Sequence, residues 1–330
     1  MIQTRGLTKV FEVSKTQTVH AVRGIDLDIA PGELVAVLGP NGAGKTTTMR
    51  MLTTLVRPTA GTAVVAGVDV VRDPATVRRH IGYVGQGNGA GHTQRGVDEL
   101  FSQGLIYGLD RPSARRRAHE LVDALDLSAH ATRKVSELSG GQRRRLDVAL
   151  GLVHAPQLLF LDEPSTGLDP QNRANLWDHI LRLRAEHEMT IMLTTHYLDE
   201  ADTMAERVVV VDHGQVIADD TADGLKRTLA GDRVVLTTTG SAAVVAGLLA
   251  HVPGARDVVV DGARVEARVA DAGTAVPELV IAASRAGAPL LEALAVRPTL
   301  DDVFLALTGR SLRDEQASSS SDEIEGRDAA

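Results

Sequence analysis

The chain of 330 residues contains no cysteine, which excludes disulfides, thiol nucleophiles and cysteine metal sites. Aromatic residues make up only 2% of it, so an aromatic at a meaningful position stands out. No apolar run approaches the ~18 residues a spanning helix needs; the most apolar stretch outside the motifs below, Ala242 to Ala250, is far too short. The opening MIQTRGLTKVFEVSK has no apolar core of a secretory signal. Any work at a membrane therefore calls for a separate spanning partner. A net charge of −8 argues against a general nucleic-acid footprint. Of two local exceptions, Arg115–Arg117 reads as a solvated helix face and Arg143–Arg145 continues a helix discussed below. What is present, 43% hydrophobic residues, suffices to bury one large core and a smaller one.

The segment GPNGAGKT, Gly39 to Thr46, satisfies the phosphate-loop pattern in full. Glu33 to Leu38 before it is fit for a buried parallel strand, and Thr46 to Leu55 after it reads as a helix stopped before Pro58. A triphosphate would thus meet unpaired N–H groups at a helix N-terminus. Gly42 and Gly44 let the backbone approach it, and Lys45 reaches the β- and γ-phosphates. Pro40, Asn41, Ala43 and Thr47 complete the expected nucleotide-binding set with Gly39. The Thr46 hydroxyl is the natural Mg²⁺ ligand, since that ion takes oxygen and shares its shell with phosphates and water.

A second apolar run, Leu158 to Leu161, ends in Asp162 and Glu163. Alone, such a pair reads as a strand stopping at charged residues. Beside a phosphate loop, the first acid is expected to serve Mg²⁺ and the second to orient and polarise the attacking water.

With LSGGQ at Leu138, Ser139, Gly140, Gly141 and Gln142, placed before LLFLDEP (Leu158 to Pro164), the sequence resembles the nucleotide-binding subunit of an ATP-binding cassette (ABC) transporter. The segment resembles that family's signature motif, which faces the γ-phosphate held by the other subunit. Ser139 can cap the following helix, and two glycines expose donors at its positive end. The resemblance assigns further positions. Gln86 in IGYVGQ matches the glutamine that touches Mg²⁺ and the water. Asp169 in STGLDP matches the D-loop acid at the subunit boundary. His196 in TIMLTTHYLDEAD matches the switch histidine at the γ-phosphate, where a lone histidine would read as solvated or structural. Phe11 in LTKVF stands where relatives carry a tyrosine that stacks on adenine; core packing is its alternative. After Gln86 the sequence GNGAGHTQRG departs from relatives, with Gly85, Gly87, Gly89 and Gly91 implying a freely jointed loop where the family touches its membrane partner.

The expected fold is α/β: a P-loop cassette over residues 1–222 with a helical signature subdomain over about 92–155, and a small C-terminal α+β domain over 223–310. In the helical insert, Ala114, Ala118, Leu121, Val122 and Leu125 follow helical spacing. The C-terminal part reads as strand 233–239, helix 242–250, hairpin 257–269 turning at Asp261-Gly262, helix 276–286 and strand 290–296: a β-α-β-β-α-β, ferredoxin-like order. PTLDDVFLALTGR (Pro298 to Arg310) then resembles the end of daunorubicin-resistance ABC ATPases, and also reads as an amphipathic closing helix. The tail 311–330 has too little apolar content to fold.

The resemblance implies an ATPase with ATP and Mg²⁺ that pairs head to tail with a second copy. It docks on a permease at the cytoplasmic face of the cell membrane and powers export of a drug, antibiotic or other hydrophobic compound. Two alternatives stay open at this level: an importer ATPase, and a soluble ATPase acting on ribosomes or DNA. Against the second, the chain has one cassette and no coiled-coil insert.

Overall fold

The computed structural model describes residues 1–14, 17–87, 89–91 and 93–310; the tail 311–330, expected to be disordered, lies outside the described residues. The chain divides into two compact units, Met1–Asp219 and a second from Asp220 onward, a division slightly upstream of the boundary expected at residue 222.

The first unit carries two sheets. One has the order β2-β1-β4-β5, from strands β1 Ile2–Ser14, β2 Gln17–Ile29, β4 Ala60–Val65 and β5 Val68–Asp69. The other has the order β10-β9-β3-β8-β7-β6, from β3 Leu34–Leu38, β6 Ile81–Val84, β7 Leu158–Asp162, β8 Thr190–Thr195, β9 Arg207–Asp212 and β10 Gln215–Asp220. Every residue of β3, β7 and β8 is buried, and β6, β7, β8, β3 and β9 pair in parallel. Strands covered on both faces read as continuous apolar runs, which is why these segments carry no polar alternation. The core between the sheets gathers Ile2, Ile25, Val35, Met49, Phe160 and Met192.

Among the described residues, seven α-helices accompany these sheets: α1 Lys45–Leu52, α2 Pro74–His80, α3 Gly96–Ile106, α4 Arg111–Ala124, α5 Gly140–Leu152, α6 Pro170–His187 and α7 Leu198–Met204. The helix expected to reach Leu55 stops at Leu52. Thr53 Oγ1 donates to Met49 O at 2.9 Å, and Thr54 turns into the left-handed region at φ 64°. The amides of Leu55 and Val56 then both close on Arg50 O. In α4, Ala114, Ala118, Leu121 and Val122 form the buried stripe. Arg117 departs from the solvated face expected of its run, donating to Leu152 O at 3.2 Å.

The second unit begins with the short helix α8 Ala222–Leu225 and continues as β11 Asp232–Thr238, α9 Ala242–Ala250, β12 Arg256–Asp261, β13 Arg264–Val269, α10 Ala272–Arg285, β14 Leu290–Val296 and α11 Leu300–Thr308. Its antiparallel sheet has the order β12-β13-β11-β14, the ferredoxin-like arrangement. Val234, Leu236, Val245, Leu249, Val265 and Leu279 fill its core. Helix α10 starts one turn before the expected Val276, because Asp271 caps it by accepting from the amides of Gly273 and Thr274. Helix α11 buries Leu300, Val303 and Phe304, opens with a Thr299/Asp302 capping box and ends at Gly309 with φ 74°.

Candidate functional site

Parallel register explains why residues far apart in sequence meet. Leu38 lies opposite Thr195, Asp162 opposite Thr194 and Val84 opposite Leu161. The C-terminal ends of β3, β8, β7 and β6 therefore lie along one edge, where open parallel sheets bind ligands. The segments leaving that edge are the phosphate loop, His196, Asp162-Glu163 and Gln86.

Two glycines of the phosphate loop admit no side chain. A Cβ on Gly39 would fall 2.1 Å from Val211 O, and Gly44, at φ 102°, would place one 2.5 Å from Ala21 O. Lys45, next after Gly44, is buried, and its Nζ donates to Gly39 O at 2.6 Å and Pro40 O at 2.9 Å. Burial pulls the Lys45 pKa down, opposed by the charges of Glu163 and Asp162.

Thr46 Oγ1 donates to Asp162 Oδ1 at 2.9 Å, and Gln86 Nε2 lies 3.4 Å from the same hydroxyl. Asp162, fully buried, also accepts from Thr194 Oγ1 at 2.6 Å. Hydroxyl, amide and carboxylate are the hard oxygen donors that Mg²⁺ takes beside phosphates and water, so the donor set fits that ion. Glu163 lies next to it with Oε2 3.2 Å from His196 Nδ1 and 3.3 Å from Thr166 Oγ1. Burial would push the Glu163 carboxyl up; the His196 hydrogen bond and charge, the Lys45 charge and the Thr166 hydroxyl together outweigh it, and its pKa falls below the ordinary value.

The signature residues open α5. Ser139 Oγ accepts from Gln142 N at 3.3 Å and Gln142 Oε1 accepts from Ser139 N at 2.9 Å, a capping box that leaves this helix end at the surface. Leu138 is buried beneath it, and Gly140 has open space at its Cα. Asp169 caps α6, accepting from Asn172 N at 2.9 Å. Phe11 on β1 is exposed, with Lys9 Nζ 4.9 Å from its ring centre; its side chain belongs to the surface, not to a core.

Three groups beside the site were not singled out by the sequence. Thr194 bridges the two acids, donating to Asp162 and accepting from Glu163 N at 3.1 Å. Glu200, 2% exposed, accepts from Thr195 Oγ1 at 2.8 Å, Trp177 Nε1 at 3.0 Å and the Ser165 hydroxyl, tying the strand end before His196 to the segment after Glu163. Arg173 stacks 3.7 Å over Tyr197, whose ring lies 4.4 Å from that of His196. In sequence Glu200 is one acid among Asp199, Glu200 and Asp202, and only its place four residues after His196 sets it apart.

Fold and site together define a P-loop ATPase of the cassette type. The ABC transporter family model matches residues 22–166. The daunorubicin/doxorubicin resistance ATP-binding protein of Streptomyces peucetius is 41% identical over 327 residues, covering 98% of this chain and 96% of that protein. The linearmycin resistance ATP-binding protein of Bacillus subtilis is 34% identical, covering 95% and 100%. A dimeric ATP-binding cassette in a post-hydrolysis state bound to ADP and Pi aligns with a TM-score of 0.62 over 67% of this chain and 98% of that one, at 24% identity. The chain belongs to the ABC transporter family, as an ATP-binding subunit of the daunorubicin-resistance type.

Proposed function

We propose that this ATPase powers export of a drug, antibiotic or other hydrophobic compound through a separate permease at the cytoplasmic face of the membrane. The observation that carries the reading is the meeting of Lys45, Thr46, Gln86, Asp162, Glu163 and His196 at one sheet edge. Phosphate-loop amides and Lys45 bind the triphosphate. Thr46, Gln86 and Asp162 would hold Mg²⁺, which when bound neutralises charge on the β- and γ-phosphate oxygens. Glu163, kept ionised by its neighbours, accepts a proton from the attacking water, and His196 steadies the γ-phosphate end. Phe11, exposed beside β2, offers a face to adenine.

Ser139, Gly140 and Gly141 complete the site of a second copy bound head to tail, and Asp169 lies at that boundary. The exposed N-terminus of α5 supports this role, since the positive end of a helix suits an anion. For the permease, the reading is supported by a groove along β6 and α3 lined by Leu55, Tyr83, Gly85, Glu99, Gln103 and Tyr107. No described helix is long and apolar enough to cross a membrane. The relatives named for daunorubicin and linearmycin resistance favour export over import, as does a C-terminal unit that alternates helix and strand.

Glu163→Gln is expected to retain ATP binding and lose at least ~10²-fold in turnover, the low end for a general base. Near-normal hydrolysis by that variant contradicts the assignment. Lys45→Ala is expected to lose nucleotide affinity, measured by equilibrium binding, and unchanged affinity counts against the phosphate-loop reading.

A further inference from the structure

Helix α5 carries a buried arginine that the roles above leave unused. Arg144, 8% exposed, turns its guanidinium away from solvent into the ends of two strands. Nε donates to Pro164 O at 2.5 Å and Nη1 to Gly85 O at 2.7 Å, while Nη2 lies 3.4 Å from Asp162 O and 3.3 Å from Glu163 O. All four acceptors are backbone carbonyls, and they belong to the segment carrying both catalytic acids and to the residue before Gln86.

Burying a charge among neutral carbonyls is costly, and an apolar side chain would fill the same space more cheaply. What the guanidinium supplies is a rigid planar fork that grips several carbonyls at once. The need for a grip is visible at Glu163, whose φ of 49° is left-handed for a residue with a side chain. Such a conformation costs ~1–3 kcal/mol and persists only where its surroundings over-determine it. On the amide side Glu163 N donates to Thr194 O at 3.0 Å and to Thr194 Oγ1 at 3.1 Å. On the carbonyl side Glu163 O accepts from Arg144 Nη2 at 3.3 Å and from Thr166 N, three residues on in the same segment, at 3.4 Å, so Arg144 is the partner that reaches it from another element.

We propose that Arg144 is a positioning residue for hydrolysis: from the signature helix it pins the strained Glu163 backbone and the strand end before Gln86, so that the Glu163 carboxylate is aimed while α5 is seated. This rests on the role proposed above for Glu163. Without the fork, the Glu163 peptide relaxes and its carboxylate swings out of line, whereas the phosphate loop, which Arg144 does not touch, keeps its grip on nucleotide. One side chain thereby joins the helix that serves the second copy's ATP to the carboxylate that serves its own.

The test uses the full chain, with Mg·ATP, in single-turnover hydrolysis, equilibrium ATP binding and thermal melting. Arg144→Lys keeps the charge and loses the fork; Arg144→Gln keeps one amide donor and serves if the lysine variant melts below the assay temperature. Hydrolysis is expected to fall at least about 10-fold while ATP affinity stays within about two-fold of the parent, and in the Glu163→Gln background Arg144→Lys is expected to cost nothing further, as groups acting as one unit are non-additive. Hydrolysis within about two-fold of the parent, an affinity loss matching the loss of turnover, or losses that multiply in the double variant would each overturn the proposal. Glu163→Gln alone, against the parent, reports separately on the role of Glu163.

Discussion

Glu163 shows how one residue's environment sets its chemistry. Its depressed pKa means that ionisation is complete at neutral pH and lost only as pH falls through a value below the ordinary glutamate range. The stability tied to this group follows the same direction: present above the ordinary range, lost as pH falls through the folded pKa. Since the His196 hydrogen bond and charge are the leading causes that lower it, His196→Ala should do more than slow hydrolysis. The acid limb of the kcat–pH profile should move to higher pH, because burial is then less opposed. An acid limb that stays in place would show that His196 does not govern Glu163. Thr46→Ala removes the hydroxyl at 2.9 Å from Asp162 and should raise the Mg²⁺ concentration needed for half-maximal ATPase activity by about 10-fold, within the range seen when metal-site partners are removed. An unchanged Mg²⁺ requirement would remove Thr46 from that set.

At the scale of elements, α5 buries three titratable side chains, Arg144, Arg145 and Asp147. Asp147 Oδ1 accepts from Gly89 N at 2.9 Å and Ala90 N at 3.1 Å, fastening the glycine-rich loop, while Oδ2 is buried with no hydrogen-bond partner. Burial raises the Asp147 pKa, against the loop amides and the Arg144 and Arg143 charges. A raised carboxyl contributes stability that is present at low pH and lost as pH rises through the folded value. Asp147→Asn keeps the oxygen that holds the loop and should raise the thermal midpoint at pH 7, with the gain shrinking as the buffer is made more acid. A lower midpoint at pH 7 would mean that the Arg144 and Arg143 attraction outweighs the cost of burial. The same helix shows what was legible in advance. Ser139 as cap, the buried strands β3 and β7, and the β-α-β-β-α-β order follow from local signals: cap residues, continuous apolar runs and turn chemistry. Arg144, Thr194 and Glu200 act through contacts 18 to 35 residues away or more, which no local period encodes. The ends of α1 and α10 depart from the local pattern for a related reason, since the Thr53 hydroxyl and the Asp271 carboxylate set them by side-chain hydrogen bonds.

For the molecule as a whole, the proposed function makes the phosphate loop with its acids and the signature helix two halves of one site carried by a single chain. In the proposed head-to-tail pair both halves are supplied twice, with nucleotide as the glue. Blocking hydrolysis should therefore trap the pair. The most direct measurement is sedimentation velocity of the full-length Glu163→Gln chain with and without ATP, together with a count of bound nucleotide. The account predicts that ATP converts a single chain into a dimer holding one ATP per chain, and that Ser139→Arg in the same background prevents it; a chain that binds ATP and stays single, or pairs equally well without nucleotide, would contradict it.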